Sequence, residues 1–258
     1  MEIIRIPVLS DNYIFVLYDP DEAEAVVVDP AVPQPVLDWL GDNDAQLTAI
    51  WNTHHHSDHV GANRKLIEKF PGLEVIAGQY DFEHRRIPGQ TQVVSEGDRV
   101  QFSGREAVVI DCPGHTLGHI AYYFPPTSED PEPQLFCGDT VFAGGCGRLF
   151  EGTAAQMVSS IDKFRRLPTN TQIWCAHEYT LNNLKFALAV EPDNQVLQQR
   201  MDSVRQLRQN SQATVPSNLE MELATNPFLR WDQPSISSRF GSSPEEVFAT
   251  VRKKKDRF

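Results

Sequence analysis

Residues 53–59 read Thr-His-His-His-Ser-Asp-His, so His54, His56, Asp58 and His59 offer four potential metal ligands within six residues. The run before them, Leu47-Thr48-Ala49-Ile50-Trp51, is apolar, aromatic and β-branched and reads as a buried strand. In an extended chain His54 and His56 fall on the same side, because side chains repeat every second residue. Asp58 and His59 follow at a turn that leads into a helix predicted from Val60 to Ile67. One short segment can thus aim ligands at two neighbouring points, which predicts a two-metal site.

Three further places supply its other half. A strand over 106–111 runs into Pro113-Gly114-His115, a strand over 135–137 ends in Gly138-Asp139, and a strand over 172–176 ends in His177. Each donor stands just past the carboxyl end of an apolar strand, where open α/β sheets gather ligands. We assign His54, His56 and His115 to one ion and Asp58, His59 and His177 to the other. Asp139 bridges them, since a carboxylate has two oxygens to share. Imidazole and carboxylate donors suit zinc, with iron or manganese as alternatives. An open position on each ion marks a catalytic site rather than a structural one. A water shared by ions about 3.5–4 Å apart is acidified to hydroxide near neutral pH, which is hydrolytic chemistry. His55, facing the other side of a strand, is expected to be structural, and His119 to be packed or to support a ligand rather than be one. Asp29 can either orient a ligand histidine or start a turn before Pro30.

These donors need strands to carry them. Strand patterns fall at 3–8, 13–18, 25–28, 47–52, 74–77, 99–102, 106–111, 119–124, 135–137 and 172–176. Thr153 and Gln156 form a capping box for a helix that carries Met157, Ile161 and Phe164. After about residue 178 strand signals vanish, and 182–190 and 193–209 are helical in spacing. Residues 217–243 read as an irregular connection with short helical pieces. Ser243, Pro244 and Glu246 then supply the N-cap, first-turn proline and capping-box Glu of a last helix ending Arg252-Lys253-Lys254-Lys255. The expected architecture is an α/β domain, residues 1–177, followed by a helical domain, residues 178–258.

At 258 residues, 40% hydrophobic and 22% charged, the chain can bury a large core. A net charge of −12 argues against a nucleic-acid partner, which needs a basic face. No apolar stretch reaches the roughly 20 residues of a membrane span, and the first residues read as a strand and not as a signal peptide. Cys137 and Cys175 lie in apolar strands and read as free buried thiols. A cytoplasmic monomer is expected.

Thr53, His54, His56, Asp58 and His59 match the Thr-His-x-His-x-Asp-His signature, and over roughly the first 175 residues the chain resembles the metallo-β-lactamase superfamily. That resemblance implies an αββα sandwich with a binuclear metal site, and it leaves the substrate open. The segments 144–153 and 177–183 and the basic last helix are similar to those of the hydroxyacylglutathione hydrolase (glyoxalase II) family, along the whole chain. The resemblance implies a thioester hydrolase that cleaves S-D-lactoylglutathione to glutathione and D-lactate in methylglyoxal detoxification. It implies that Arg252 and Lys255 hold the glycyl carboxylate of glutathione, and that Arg148 and Tyr179 contact its peptide. Asp58, which orients the nucleophile, and Asp139 are the catalytic carboxylates. Arg148 stands where lysine is common, and Phe150 where tyrosine is common, which removes one hydroxyl from the peptide contacts.

Two rivals share the fold. A mononuclear-iron glutathione persulfide dioxygenase would not need the complete second ligand set Asp58, His59 and His177. A metallo-nuclease would need a basic surface that this acidic chain lacks.

Overall fold

The computed structural model describes residues 1–128 and 130–258, arranged as two compact units. The first comprises residues 1–111 and 118–125, the second residues 112–117 and 126–258.

In the first unit β1 (Glu2–Val8), β2 (Asn12–Asp19) and β3 (Glu24–Val28) form an antiparallel meander. From β3 the sheet continues in parallel through β4 (Gln46–Trp51), β5 (Glu74–Gly78) and β6 (Gln92–Val94). Parallel neighbours need crossovers. These are supplied by α1 (Pro33–Asp42), by α2 (Ser57–Val60) with α3 (Asn63–Lys69), and by α4 (Gln79–Glu83). Ile14, Val16, Val27, Ile50 and Val75 form one core with Val36, Leu40 and Leu66 of the helices. The same unit holds an antiparallel ladder of β7 (Arg99–Phe102), β8 (Arg105–Asp111) and β9 (Ile120–Phe124). Trp51 meets it, its ring 4.9 Å from Tyr122 and stacked 5.9 Å from Phe124. Truncating so buried a side chain to alanine costs about 3–5 kcal/mol.

In the second unit β10 (Gln134–Gly138) runs parallel to β13 (Gln172–Cys175), which pairs antiparallel with β14 (Ser217–Asn218). Between β10 and β13 lie a small hairpin, β11 (Val141–Phe142) and β12 (Gly145–Cys146), and then α5 (Ala154–Arg165). The predicted capping box is present at α5, with Thr153 and Gln156 satisfying each other's backbone. The chain ends in α6 (Thr180–Val190), α7 (Gln195–Gln209), α8 (Leu219–Thr225), a single 3-10 turn Pro227–Leu229, α9 (Pro234–Phe240) and α10 (Pro244–Lys255). Leu184, Ala187, Leu197 and Met201 join α6 to α7.

The mixed α/β class and the ten predicted strands are present, with ends differing by a residue or two. Strand structure does continue past residue 178, because Ser217 and Asn218 add to β13, and two residues are too few to show a period. The helix expected over 60–67 is broken between Val60 and Asn63, so Asp58 and His59 sit on α2 rather than in a turn. At α10 the Ser243 hydroxyl caps the Glu246 N–H as expected, and the Glu246 carboxylate accepts chiefly from the Ser242 N–H and hydroxyl.

Candidate active site

Strand β4 stops at Trp51, and residues 53–56 leave the sheet before α2 begins. His54 and His56 therefore converge through a loop and not through the strand pleat: His54 Nε2 and His56 Nδ1 stand 3.1 Å apart. The polar residues around this loop fix it. Asn52 is fully buried, donates to the His59 carbonyl at 3.0 Å, and accepts from Asn63 Nδ2 at 2.8 Å. Asp29 resolves toward the orienting alternative. Its carboxylate accepts from the Thr53 N–H at 2.8 Å, the Thr53 hydroxyl at 2.6 Å, and lies 2.9 Å from His59 Nδ1. A carboxylate on Nδ1 holds that proton in place and makes Nε2 the donor nitrogen, the usual outer partner of a metal-binding histidine. Asn12 does the same for Asp58, donating to Oδ2 at 2.9 Å. His119 is buried and stacked on His54 at 4.5 Å, and the His55 ring lies 3.5 Å from buried Asp81, so both take structural positions.

The second unit carries the other three donors. His115 Nδ1 lies 2.9 Å from the Arg148 carbonyl, which again leaves Nε2 as the donor. Asp139 follows β10, and its two oxygens face two different rings: Oδ2 is 3.4 Å from His115 Nε2, and Oδ1 is 3.3 Å from His177 Nε2. His177 is stacked on Tyr179, rings 4.7 Å apart and within 4° of parallel. Gly147 lets this wall close up, since a Cβ there would lie 2.0 Å from the Asp139 carbonyl oxygen.

These separations fit a metal. Two donors held about 2.0–2.1 Å from a tetrahedral ion stand roughly 3.3 Å apart. The His54–His56, His115–Asp139 and Asp139–His177 pairs lie at 3.1, 3.4 and 3.3 Å. Buried or half-buried imidazoles and a carboxylate at such distances can accept a divalent cation.

In the second unit a cavity of about 410 Å³ is lined by His115, Asp139, Arg148, Tyr179, Arg252 and Lys255, among others. All four residues expected to bind substrate thus reach one cavity, together with two expected metal ligands. They differ in commitment. Arg252 is 5% exposed and already occupied, donating to the Cys146 carbonyl at 2.9 Å and to Asp256 at 3.0 and 3.1 Å. Arg148 is exposed. Lys255 is half-buried beside the Phe186 and Phe258 rings. Burial first, then the nearby Arg252 and Arg148 charges, push its ammonium down to about 8. Phe150 is 63% exposed and rests its ring edge against His115. The four cysteines are free and buried, and burial pushes Cys146 up to about 11 and Cys175 to about 12.

Asn12, Asn52 and Asn63 carry this geometry without any sequence signal, since an asparagine at a strand end, as Asn12 and Asn52 are, reads as a turn residue, and Asn63 falls inside a predicted helix.

Comparison with known proteins agrees with this geometry. Residues 7–177 match the metallo-beta-lactamase superfamily model, and residues 178–258 match the model of the hydroxyacylglutathione hydrolase C-terminus. Hydroxyacylglutathione hydrolases of Gloeothece citriformis and a Synechocystis species are 60% and 58% identical to it, each over 100% of both chains. Among solved structures, ETHE1 from Myxococcus xanthus superposes with a TM-score of 0.66 at 20% identity, covering 99% of this chain and 98% of its own. That last likeness speaks for the fold alone. No helix among the described residues is long and apolar enough to cross a membrane.

Proposed function

The chain belongs to the hydroxyacylglutathione hydrolase family of the metallo-β-lactamase superfamily, and from that premise we propose how its residues cleave a glutathione thioester. It is a metal-dependent thioester hydrolase acting on 2-hydroxyacylglutathione, with S-D-lactoylglutathione as the expected substrate and glutathione and D-lactate as products. Two divalent ions, zinc before iron or manganese, would be held by His54, His56 and His115 and by Asp58, His59 and His177, and Asp139 would be shared. The observation that carries this reading is Asp139, whose two oxygens each face a different histidine Nε2 at 3.3–3.4 Å. When bound, such ions polarise a carbonyl and supply hydroxide near neutral pH.

The chain's own residues then divide the work. Asp29 and the Arg148 carbonyl hold the Nδ1 sides of His59 and His115. Asn12 fixes the Asp58 carboxylate, which orients the attacking water. Arg252 and Lys255 hold the tripeptide's glycyl carboxylate, and Arg148 contacts its peptide. Tyr179, stacked on His177, presents its hydroxyl to the peptide. A departing thiolate is a weak base compared with an amide nitrogen, so the site needs no strong general acid. Residues 1–177 form the catalytic domain and residues 178–258 the substrate-binding domain. The enzyme works as a cytoplasmic monomer.

The purified protein should hydrolyse S-D-lactoylglutathione, lose that activity to a chelator, and regain it with zinc. Metal content measured on the same sample should approach two ions per chain. Full turnover by metal-free protein would refute the mechanism, and one iron per chain with oxygen consumption would favour the dioxygenase instead.

A further inference from the structure

The hairpin β11–β12 has two residues in each strand, too few to hold its own shape. Its turn places Gly144 at φ +71°, where a Cβ would also lie 2.6 Å from Leu184. The helical segment grips it atom by atom. Asn226 Nδ2 donates to the Phe142 carbonyl at 3.2 Å and the Gly145 carbonyl at 2.9 Å. Asn183 donates to the Ala143 carbonyl at 3.2 Å, and Arg252 to the Cys146 carbonyl at 2.9 Å. The Gly144 N–H donates to Glu222 Oε2 at 2.8 Å. Glu222 is fully buried, accepts from Asn226 at 2.8 Å through the same oxygen, and binds Arg200 and Ser217 through the other.

What leaves this hairpin touches the site. The Phe142 ring stands edge-on to His177 at 5.7 Å and to Tyr179 at 5.2 Å. Beyond Cys146 the chain passes Gly147 to the Arg148 carbonyl, the acceptor that orients His115. Moving the hairpin therefore moves the group that sets the His115 tautomer.

We propose that Glu222 is a positioning residue for the reaction: through Gly144, and with Asn226, it sets the hairpin that orients His115 and braces His177. The C-terminal segment thus shapes the ligand set as well as the substrate cavity. The kinetic arm of the test rests on the hydrolase reading, and the spectroscopic arm does not.

Glu191 provides a matched control. It too is a buried, arginine-paired carboxylate of this segment, bound by Arg230, Ser235 and Asn194, none of which donates to the hairpin. Glu222→Gln should lower kcat about 10-fold or more, the range for outer partners of metal ligands, with KM within about threefold. Glu191→Gln should lower the thermal midpoint while leaving kcat within about twofold. In metal-free protein carrying 15N-histidine, the His115 Nδ1 resonance should move in Glu222→Gln and stay in place in Glu191→Gln. Asn226→Ala leaves the Glu222–Arg200 pair intact and should repeat the effect, which keeps the test decisive if Glu222→Gln does not fold. Equal kcat losses in both glutamine variants, or an unmoved His115 resonance in Glu222→Gln and Asn226→Ala, would overturn the proposal. Absence of turnover by the unmodified protein would count against the hydrolase reading alone, with the resonance still deciding the positioning role.

Discussion

His54, Asp58 and His59 each lean on a fixed neighbour, the Thr53 hydroxyl, Asn12 and Asp29 respectively, whereas Arg148 and Lys255 reach their cavity from exposed or half-buried positions on flexible stems. The difference follows from what each region must hold. A metal ion demands donors placed to within a few tenths of an ångström, so the 53–59 loop spends buried hydrogen bonds on rigidity. A carboxylate on a flexible tripeptide asks mainly for charge, which solvent screens and several geometries can supply. The first region should respond to mutation in kcat and metal content, the second in KM.

The largest effect belongs to Asp139, whose two oxygens face two histidines. Asp139→Ala should reduce kcat/KM well beyond the about 10- to 100-fold typical of outer partners, with loss of bound metal measured by elemental analysis. Next comes Asp29→Asn, expected to weaken metal affinity or activity about 10- to 100-fold in a zinc-competition titration. Because Asp29 also holds the Thr53 N–H and hydroxyl, Asp29→Ala should further cost about 1–3 kcal/mol of stability by chemical denaturation. If Asp29→Asn raised KM alone, the contrast between the regions would collapse.

Lys255 offers a sharper test through pH. Burial and two neighbouring cations depress its ammonium to about 8, so it is charged below that pH and neutral above it. KM for the anionic substrate should therefore rise as pH passes upward through about 8, with kcat following a separate profile. Lys255→Met should remove that rise and lift KM about 10-fold, equivalent to about 1.4 kcal/mol. A KM that stays flat across this range in the unmodified protein would separate Lys255 from substrate binding. Smallest are the changes at the exposed rim. Phe150→Tyr, which restores a hydroxyl on a 63% exposed ring, should lower KM about two- to threefold in steady-state assays, consistent with one modest hydrogen bond.

Much of this contrast is legible before folding, though unevenly. The ten longer strands show themselves through apolar runs, and the α5 capping box is readable from Thr153 and Gln156. The short pieces do not: β6 and β14 and the strands of the β11–β12 hairpin span two or three residues each, too few for an alternation to repeat. The ligand residues are readable because imidazoles and carboxylates at strand ends are chemically unusual there. Their supporting asparagines are not, because Asn12 and Asn52 look like ordinary turn residues, and Asn63 like an ordinary helix residue, until their partners appear.

Arginine shows the same limit from the other side. Helical spacing puts Arg252 and Lys255 on one face, and both do line the cavity. Spacing says nothing of Arg252's prior engagement with Cys146, 106 positions earlier, and with Asp256.

By itself, then, the sequence determined the chemistry available: which donors exist, how they are spaced from 53 to 59, and which cations end the last helix. Tertiary structure alone decided that Nδ1 of His59 and of His115 is taken by Asp29 and by the Arg148 carbonyl, and that Glu222 reaches Gly144 across 78 positions. The physical reason is range. Ligand identity and local spacing are properties of neighbouring residues, whereas a buried hydrogen bond is chosen only when the whole chain has closed and every desolvated polar atom must find a partner.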